Sequence, residues 1–137
     1  MVVSIIEMTT VHKKELKLMA KKEIRQRMIF MCDLPIGDGS EFSGLHPVLI
    51  GSVDLRNKNS PNVYIFPITH AIKKYQPTHV RICKADYDFL KYESSTILCE
   101  SGREISRSRI QRFIGEISED DFYKVLECKE YIFKEKC

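Results

Sequence analysis

The sequence predicts a mainly β domain with helices, an α+β fold in which short strands form a small curved barrel. From residue 28 onward, short apolar runs are separated by turn residues, and strands of this length and spacing favour a barrel. At each end of the chain, apolar residues recur instead at the spacing of one helix face. The length of 137 residues suits one domain with an appended segment.

The first predicted element is a helix over residues 10–25. Thr10 can cap its start, and apolar residues recur along one face. Lysines and arginines greatly outnumber glutamates in residues 11–27, so the rest of the helix surface is basic. This basic surface is either an ordinary solvated face or an arm that binds nucleic acid. We therefore divide the chain into a basic N-terminal extension, residues 1–26, and a main domain, residues 27–137.

The main domain begins with a series of predicted strands. Apolar runs of strand length and composition occupy residues 29–32, 48–53, 63–66, 80–83 and 96–99. Residues 57–61, between two of these runs, have the composition of a turn. Residues 105–113 are predicted to form a short helix that carries Arg107, Arg109 and Arg112.

The last predicted element is a C-terminal helix. Ser118 precedes it, and the serine hydroxyl can cap backbone amides near Asp121. Apolar residues recur at helical spacing after this cap, which predicts one buried face. The predicted face comprises Phe122, Val125, Leu126 and Ile132.

Composition and cysteine usage narrow the class of protein. The net charge of +3 permits an anionic partner without requiring one. The five cysteines are widely spaced and lack a C-x-x-C pair, so we expect neither a disulfide framework nor a structural zinc site. Cys32, Cys83 and Cys99 lie in apolar runs, as buried thiols do. The apolar run at residues 2–6 is too short for a signal peptide or a membrane span, so we expect a cytoplasmic protein.

The polar loop at residues 38–47 is the first candidate site. It runs between glycines and enters an apolar strand through Pro47, whose ring fixes φ. Ser40, Glu41 and His46 are therefore expected at a sheet edge, where a hydroxyl, a carboxylate and an imidazole are suited to proton transfer. The same composition is also that of an ordinary hairpin loop, so the loop alone leaves both interpretations open.

A set of ordered motifs carries a resemblance to a known family. The motifs are GSEFSGLHPVLI at residues 39–50, PIT at 67–69, PTHV at 77–80, LCESGR at 98–103 and IGEIS at 114–118. In order and spacing they resemble the MazF/PemK toxins, whose pattern is G-S-E-x-x-G-x-R-P-V-x-I, P-I-T, T-H-V, L-C-E-Q-x-R-T and I-G-x-L-S. The resemblance spans about residues 27–133. It implies a dimeric SH3-like barrel that cleaves single-stranded RNA without a metal or other cofactor and is neutralised by a cognate antitoxin.

The resemblance also implies a catalytic pair. Metal-free RNA cleavage normally uses the ribose 2′-OH as nucleophile, so a protein must remove its proton, stabilise the phosphate charge and protonate the leaving oxygen. The expected ends are a 2′,3′-cyclic phosphate and a 5′-OH. The family associates catalysis with a loop arginine before the proline and with the threonine of P-I-T. These positions hold His46 and Thr69 in this sequence.

His46 is a departure from the family pattern. Arginine is always charged and binds phosphate through two donors, whereas a histidine carries full charge only well below its reference pKa of ~6.5. An imidazole can, however, act as a general acid or base near neutral pH. The sequence therefore predicts either an active endoribonuclease in which His46 has a changed role, or a weakened member that acts by binding RNA or an antitoxin-like peptide.

The remaining candidate residues follow from the same motifs. Ser40 joins His46 and Thr69 as a catalytic candidate because its hydroxyl can bind a phosphate. The candidates for RNA contact are Glu41, Phe42, Ser43, His70, Glu100 and Arg103. Phe42 can stack on a base or anchor the loop, and Glu41 can anchor the loop to backbone amides. His70 adjoins Thr69, but neighbours in a strand point to opposite faces.

Overall fold

The computed structural model describes residues 23–35, 43–71, 74 and 76–134. The predicted N-terminal helix lies outside these residues, apart from its last three positions. Glu23, Ile24 and Arg25 belong to neither a helix nor a strand, so the helix does not reach residue 25 as predicted. Ile24 is buried in the core, and the amide of Gln26 donates to the Asp54 carboxylate at 2.8 Å. Residues just before position 27 therefore already pack on the main domain.

The described residues form seven strands and two α-helices. The elements are β1 Met28–Leu34, β2 Gly44–Ile50, α1 Asp54–Asn59, β3 Asn62–Thr69, β4 His79–Cys83, β5 Ser94–Leu98, β6 Arg103–Ser106, β7 Ile110–Glu116 and α2 Glu119–Glu130. Two 3₁₀ turns, Cys99–Ser101 and Arg107–Arg109, flank β6. The five strands predicted from apolar runs correspond to β1–β5.

The strands form a curved antiparallel barrel with a hairpin attached. In the described part of the chain, β7, β1, β2, β3 and β6 pair in that order, and one 3₁₀ turn joins β6 to β7. The two halves of β3 have different partners on one edge: Asn62–Ile65 pair with β6, whereas Ile68 and Thr69 pair with β5. The β4–β5 hairpin therefore extends from the end of β3, and the predicted small barrel is confirmed.

Both faces of the central strands are buried. Phe30 and Val48 lie in the apolar cluster inside the barrel, whereas their neighbours Ile29 and Leu49 lie in a second cluster. This second cluster packs between the sheet, the hairpin and α2, which contributes Phe122. Because successive strand residues point to opposite faces, burial of both faces explains why these strands appear as continuous apolar runs.

The helix predicted for residues 105–113 is wrong. β6 and β7 occupy these positions, and only the 3₁₀ turn Arg107–Arg109 is helical. Ile105 pairs with Val63 of β3, and Ile110 pairs with Cys32 of β1. Backbone pairing with distant strands thus decides the local structure, because a short apolar pattern does not distinguish a strand from a helix.

The turn predicted at residues 57–61 is partly helical. Its first three residues end α1, and Asn57 is fully buried. The Asn57 side chain donates to the backbone oxygen of Ser52 at 2.9 Å, and the Ser52 hydroxyl bonds the Asn57 side-chain oxygen in return. These bonds fix the passage from β2 into α1.

The start of α2 is confirmed at Ser118. Its hydroxyl accepts the amide of Asp121 at 3.1 Å, which is a helix cap. Phe122 and Val125 are buried, but Leu126 is 38% exposed and Ile132 lies beyond the helix end and is 44% exposed. The buried face is therefore narrower than predicted.

Burial of the cysteines is also only partly as predicted. Cys32 and Cys99 are buried, whereas Cys83 is half-buried at the end of β4. None of the cysteines that the structure describes forms a disulfide. Among the described helices, none is long and apolar enough to cross a membrane.

Candidate active site

His46 and Thr69 lie at the same end of two adjacent strands. The paired positions of β2 and β3 end at Val48 and Pro67, which face each other. His46 lies two residues before Val48, and Thr69 lies two residues after Pro67. Because side chains alternate between faces along a strand, His46 points to the same face as Val48, and Thr69 points to the same face as Pro67. The barrel thus brings the two catalytic candidates onto one face of the sheet, although 23 positions separate them in the chain.

Strand register extends this arrangement in both directions. Cys32 of β1 pairs with His46, Thr69 pairs with Thr96 of β5, and Thr96 pairs with Arg81 of β4. Residues directly opposite each other in antiparallel strands project from the same face. We call these five residues, in the order Cys32, His46, Thr69, Thr96 and Arg81, the cross-strand row.

The His46 imidazole is half-buried and is oriented by its own loop. Nε2 lies 2.9 Å from the backbone oxygen of Ser43. Because a carbonyl oxygen can only accept, Nε2 must carry the proton in this hydrogen bond. In the neutral imidazole the basic nitrogen is then Nδ1. This tautomer is suited to accepting a proton at Nδ1, and the backbone of Ser43 selects it.

Thr69 is nearly buried, with 9% of its surface exposed. Its hydroxyl oxygen accepts the amide of Ala71 at 3.2 Å, which tightens the chain where β3 ends. A hydroxyl that accepts one hydrogen bond still has its own proton to donate. Thr69 can therefore donate to a phosphate oxygen placed over the row.

Two arginines place positive charge at the β1 end of the row. Burial and the neighbouring Asp33 carboxylate raise the pKa of the Cys32 thiol to about 11, while the charges of Arg109 and Arg103 act in the opposite direction. Both guanidinium groups are thus close enough to influence the residue paired with His46. Arg109 also donates to the backbone oxygen of Asp33 at 3.1 Å and lies 3.8 Å from its carboxylate, so part of its charge is neutralised locally.

Arg81 marks the other end of the row. Its side chain is exposed, and it makes no hydrogen bond or ion pair with any residue that the structure describes. The sequence pattern did not single out Arg81 or Arg109 as site residues. The sequence does contain a signal for Arg81, because it is the one charged residue within the apolar run at residues 80–83.

His70 and Glu100 are not part of the row. His70 is exposed and stacks on Tyr92, with ring centroids 3.8 Å apart and planes 8° from parallel. Glu100 lies in the 3₁₀ turn after β5, and its carboxylate is 3.1 Å from Nε2 of His79. This contact joins the 3₁₀ turn to the first residue of β4 and gives the Glu100 carboxylate a partner within the protein.

Ser40, Glu41 and Phe42 lie outside the described residues.

A cysteine nucleophile and a metal centre are two alternatives to a site built on His46 and Thr69. Burial raises the pKa of the Cys99 thiol to about 12, with Cys128 and Glu100 adding to the shift, so Cys99 is a neutral core residue and not a nucleophile. In the ranges 23–35, 43–71 and 76–134, no three His, Cys, Asp or Glu side chains group in a way that could hold a metal ion.

The sequence matches one protein-family model and a curated relative of the same family. The family model described as "PemK-like, MazF-like toxin of type II toxin-antitoxin system" matches residues 25–133. The curated Endoribonuclease MazF of Staphylococcus epidermidis is 37% identical over 103 residues, which are 74% of this chain and 84% of the relative.

Solved structures show the same fold. MazF of Deinococcus radiodurans superposes with a TM-score of 0.70 at 19% identity, over 82% of this chain and 97% of that one. An endoribonuclease from a mycobacterial species, in complex with its cognate antitoxin, gives a TM-score of 0.65 at 18% identity, over 80% and 94% of the two chains. The barrel with a C-terminal helix implied by the motif resemblance is therefore confirmed.

Proposed function

Because this chain belongs to the PemK-like, MazF-like toxin family of type II toxin-antitoxin systems, it is an endoribonuclease toxin, and we propose that the cross-strand row is its catalytic site. The observation that carries this proposal is the placement of His46 and Thr69 on one sheet face at the end of β2 and β3. These residues occupy the positions of the catalytic arginine and threonine in the family motifs. We further propose that the protein acts in the cytoplasm on single-stranded RNA.

The geometry supports cleavage by the RNA's own 2′-OH. A phosphate over the row receives a hydrogen bond from the Thr69 hydroxyl, which stabilises the phosphorane-like transition state, and Arg103 remains a proposed RNA contact. His46 accepts the 2′-OH proton at Nδ1 as the 2′-oxygen bonds to phosphorus. The bond from phosphorus to the 5′-oxygen breaks, this oxygen takes a proton from water, and protonated His46 returns its proton to the hydroxide that forms. The products are a 2′,3′-cyclic phosphate and a 5′-OH, and no step uses a metal ion.

The protein partners are proposals of the same kind. A cognate antitoxin is bound to one of the structural neighbours, which supports a similar inhibitor for this chain. A homodimer is implied by the family resemblance. Ser40, Glu41, Phe42 and Ser43 remain proposed RNA contacts in the loop before β2, where they precede His46 in the chain.

The test is cleavage of a long RNA by purified protein in the presence of EDTA, followed by mapping of the new ends. We expect cleavage at defined sites that leaves 5′-OH and cyclic phosphate ends. Thr69→Val, which removes the hydroxyl at nearly constant volume, should lower the rate by about 10² or more. Thr78→Val, the same change in the turn before β4, is the control.

Two results would contradict the proposal. Strict dependence on added Mg²⁺ would exclude the mechanism. RNA binding without cleavage under all conditions would instead support the weakened, binding-only member of the family.

A further inference from the structure

We propose that Arg81 binds a phosphate group of the RNA strand and supplies the permanent positive charge that the family's loop arginine would otherwise provide. The inference rests on the proposed catalytic site and adds a residue to it. A histidine side chain is charged only when its imidazole is protonated, whereas an arginine guanidinium is effectively always protonated in proteins. With histidine at position 46, permanent charge on a bound phosphate must come from other residues, and Arg81 would supply it at the end of the row opposite Arg103 and Arg109.

Strand register fixes the face on which Arg81 lies. Its neighbours Val80 and Ile82 are both buried in the cluster between the hairpin and α2. Because side chains alternate along a strand, Arg81 points to the opposite face. Thr96 lies directly across from it, and Thr69 lies directly across from Thr96.

The separation suits two contacts on one RNA strand. Adjacent strands are about 4.8 Å apart, so two strand spacings place the Cα of Arg81 about 10 Å from that of Thr69. The long arginine side chain spans much of this distance along the sheet face. A single RNA strand crossing β3, β5 and β4 would meet the Thr69 hydroxyl and then the Arg81 guanidinium.

Arg81 is also available for an anion. Three other arginines of the described residues are in ion pairs: Arg27 with Glu116, Arg56 with Glu104 and Arg109 with Asp33. The Arg81 guanidinium has no such partner within the described part of the chain, and its side chain is exposed. Its planar fork of donors matches two oxygens of one phosphate.

The first experiment measures binding of a single-stranded RNA whose 2′-hydroxyls are methylated, so that it cannot be cleaved by its own 2′-oxygen. Affinity is measured as a function of salt concentration for the parent and for Arg81→Gln. Loss of one phosphate contact should weaken binding and reduce the slope of log affinity against log salt by about 0.7. Lys84→Gln is the matched control, because it removes the same charge just after β4 and should leave the slope unchanged.

The second experiment measures cleavage by Arg81 variants, and binding of the methylated RNA in a double-mutant cycle of Arg81 with His46. Arg81→Gln should lower the cleavage rate by at least about tenfold, and Arg81→Lys should restore part of it because the charge returns without the planar fork. In a His46→Arg background the loop supplies its own permanent charge, so Arg81→Gln should weaken binding of the methylated RNA less than it does in the parent. The effects are therefore expected to be non-additive.

The outcomes separate the two proposals. If the parent cleaves RNA but Arg81→Gln binds and cleaves like the parent with the same salt slope, Arg81 has no role. If the parent does not cleave RNA at all, the proposed catalytic function fails, while the salt slope with methylated RNA still decides whether Arg81 binds phosphate. Circular dichroism of Arg81→Gln confirms that the exposed substitution leaves the fold intact.

Discussion

At the scale of single residues, the loop backbone determines which chemistry His46 can perform. The Ser43 carbonyl holds the proton on Nε2 and leaves Nδ1 as the basic atom of the neutral ring. An arginine in this position could not accept a proton, because it is not deprotonated in proteins. In the proposed mechanism, His46 therefore transfers the proton, and Thr69 and nearby arginines stabilise the phosphate charge.

Substitutions at His46 test this assignment. His46→Ala should lower cleavage by roughly 10² or more, which is the usual contribution of a general acid or base. His46→Gln is the matched variant, because its amide can still donate to the Ser43 carbonyl but cannot accept a proton. We expect it to be as inactive as His46→Ala in end-labelled RNA cleavage assays.

His46→Arg distinguishes charge from proton transfer. Recovery of most activity in this variant would mean that the site needs positive charge at position 46. Loss of activity would mean that it needs a proton acceptor there. If His46→Ala cleaves as fast as the parent, the imidazole is not catalytic and the role passes to Thr69 and its neighbours.

At the scale of elements, the N-terminus of α2 is fastened to the β4–β5 connection. The Tyr87 hydroxyl lies 2.5 Å from the Asp121 carboxylate and 3.0 Å from the Ser118 hydroxyl, and it accepts the Ser118 amide at 3.0 Å. Burial and the bond to Asp121 raise the pKa of Tyr87, so the hydroxyl stays protonated at neutral pH. These hydrogen bonds hold α2 against the second apolar cluster. The cluster in turn packs under the β4–β5 hairpin, which carries Arg81.

Removal of the helix cap should destabilise the whole domain. Ser118→Ala loses the hydrogen bond to the Asp121 amide, and the free energy of unfolding should fall by about 1 kcal/mol. Urea denaturation followed by circular dichroism measures the change. Ser118→Thr keeps a capping hydroxyl and should retain most of the stability. Equal stability of Ser118→Ala and the parent would show that water replaces the cap without cost.

At the scale of the whole molecule, the main expectation concerns the association of two copies of the chain. The family resemblance predicts a two-fold homodimer, in which one surface must be complementary to itself. Leu45 on β2 and Phe113 on β7 are 57% and 52% exposed, so apolar surface is available on both strands. Exposed apolar residues alone do not define an interface, because single ones are common on protein surfaces.

Light scattering at micromolar concentration tests the predicted dimer. The expected mass is twice that of the 16.0 kDa chain, and it should persist through a dilution series at near-physiological salt. The RNA cleavage assay on the same samples controls for active protein. A monomer that cleaves RNA at full rate would overturn the prediction.

The class of domain and the location of most of its strands follow from the amino-acid sequence alone. Apolar runs were long enough to mark β1–β5 because both faces of these strands are buried, and a serine followed by an apolar helical stripe marked α2. The ordered motifs identified the family and placed His46 and Thr69 at its catalytic positions. Each of these signals depends on residues that are close together in the chain, so it can be recognised in the amino-acid sequence.

The neighbours of these residues, in contrast, depend on tertiary contacts. Residues 105–113 form strand and turn, not helix, because β1 and β3 provide backbone partners that are distant in the chain. Arg81 and Thr69 share a face because Thr96 pairs with both, and the proton on His46 Nε2 depends on one carbonyl of a folded loop. Strand register and hydrogen-bond geometry relate residues across space, and a pattern along the chain does not contain that relation.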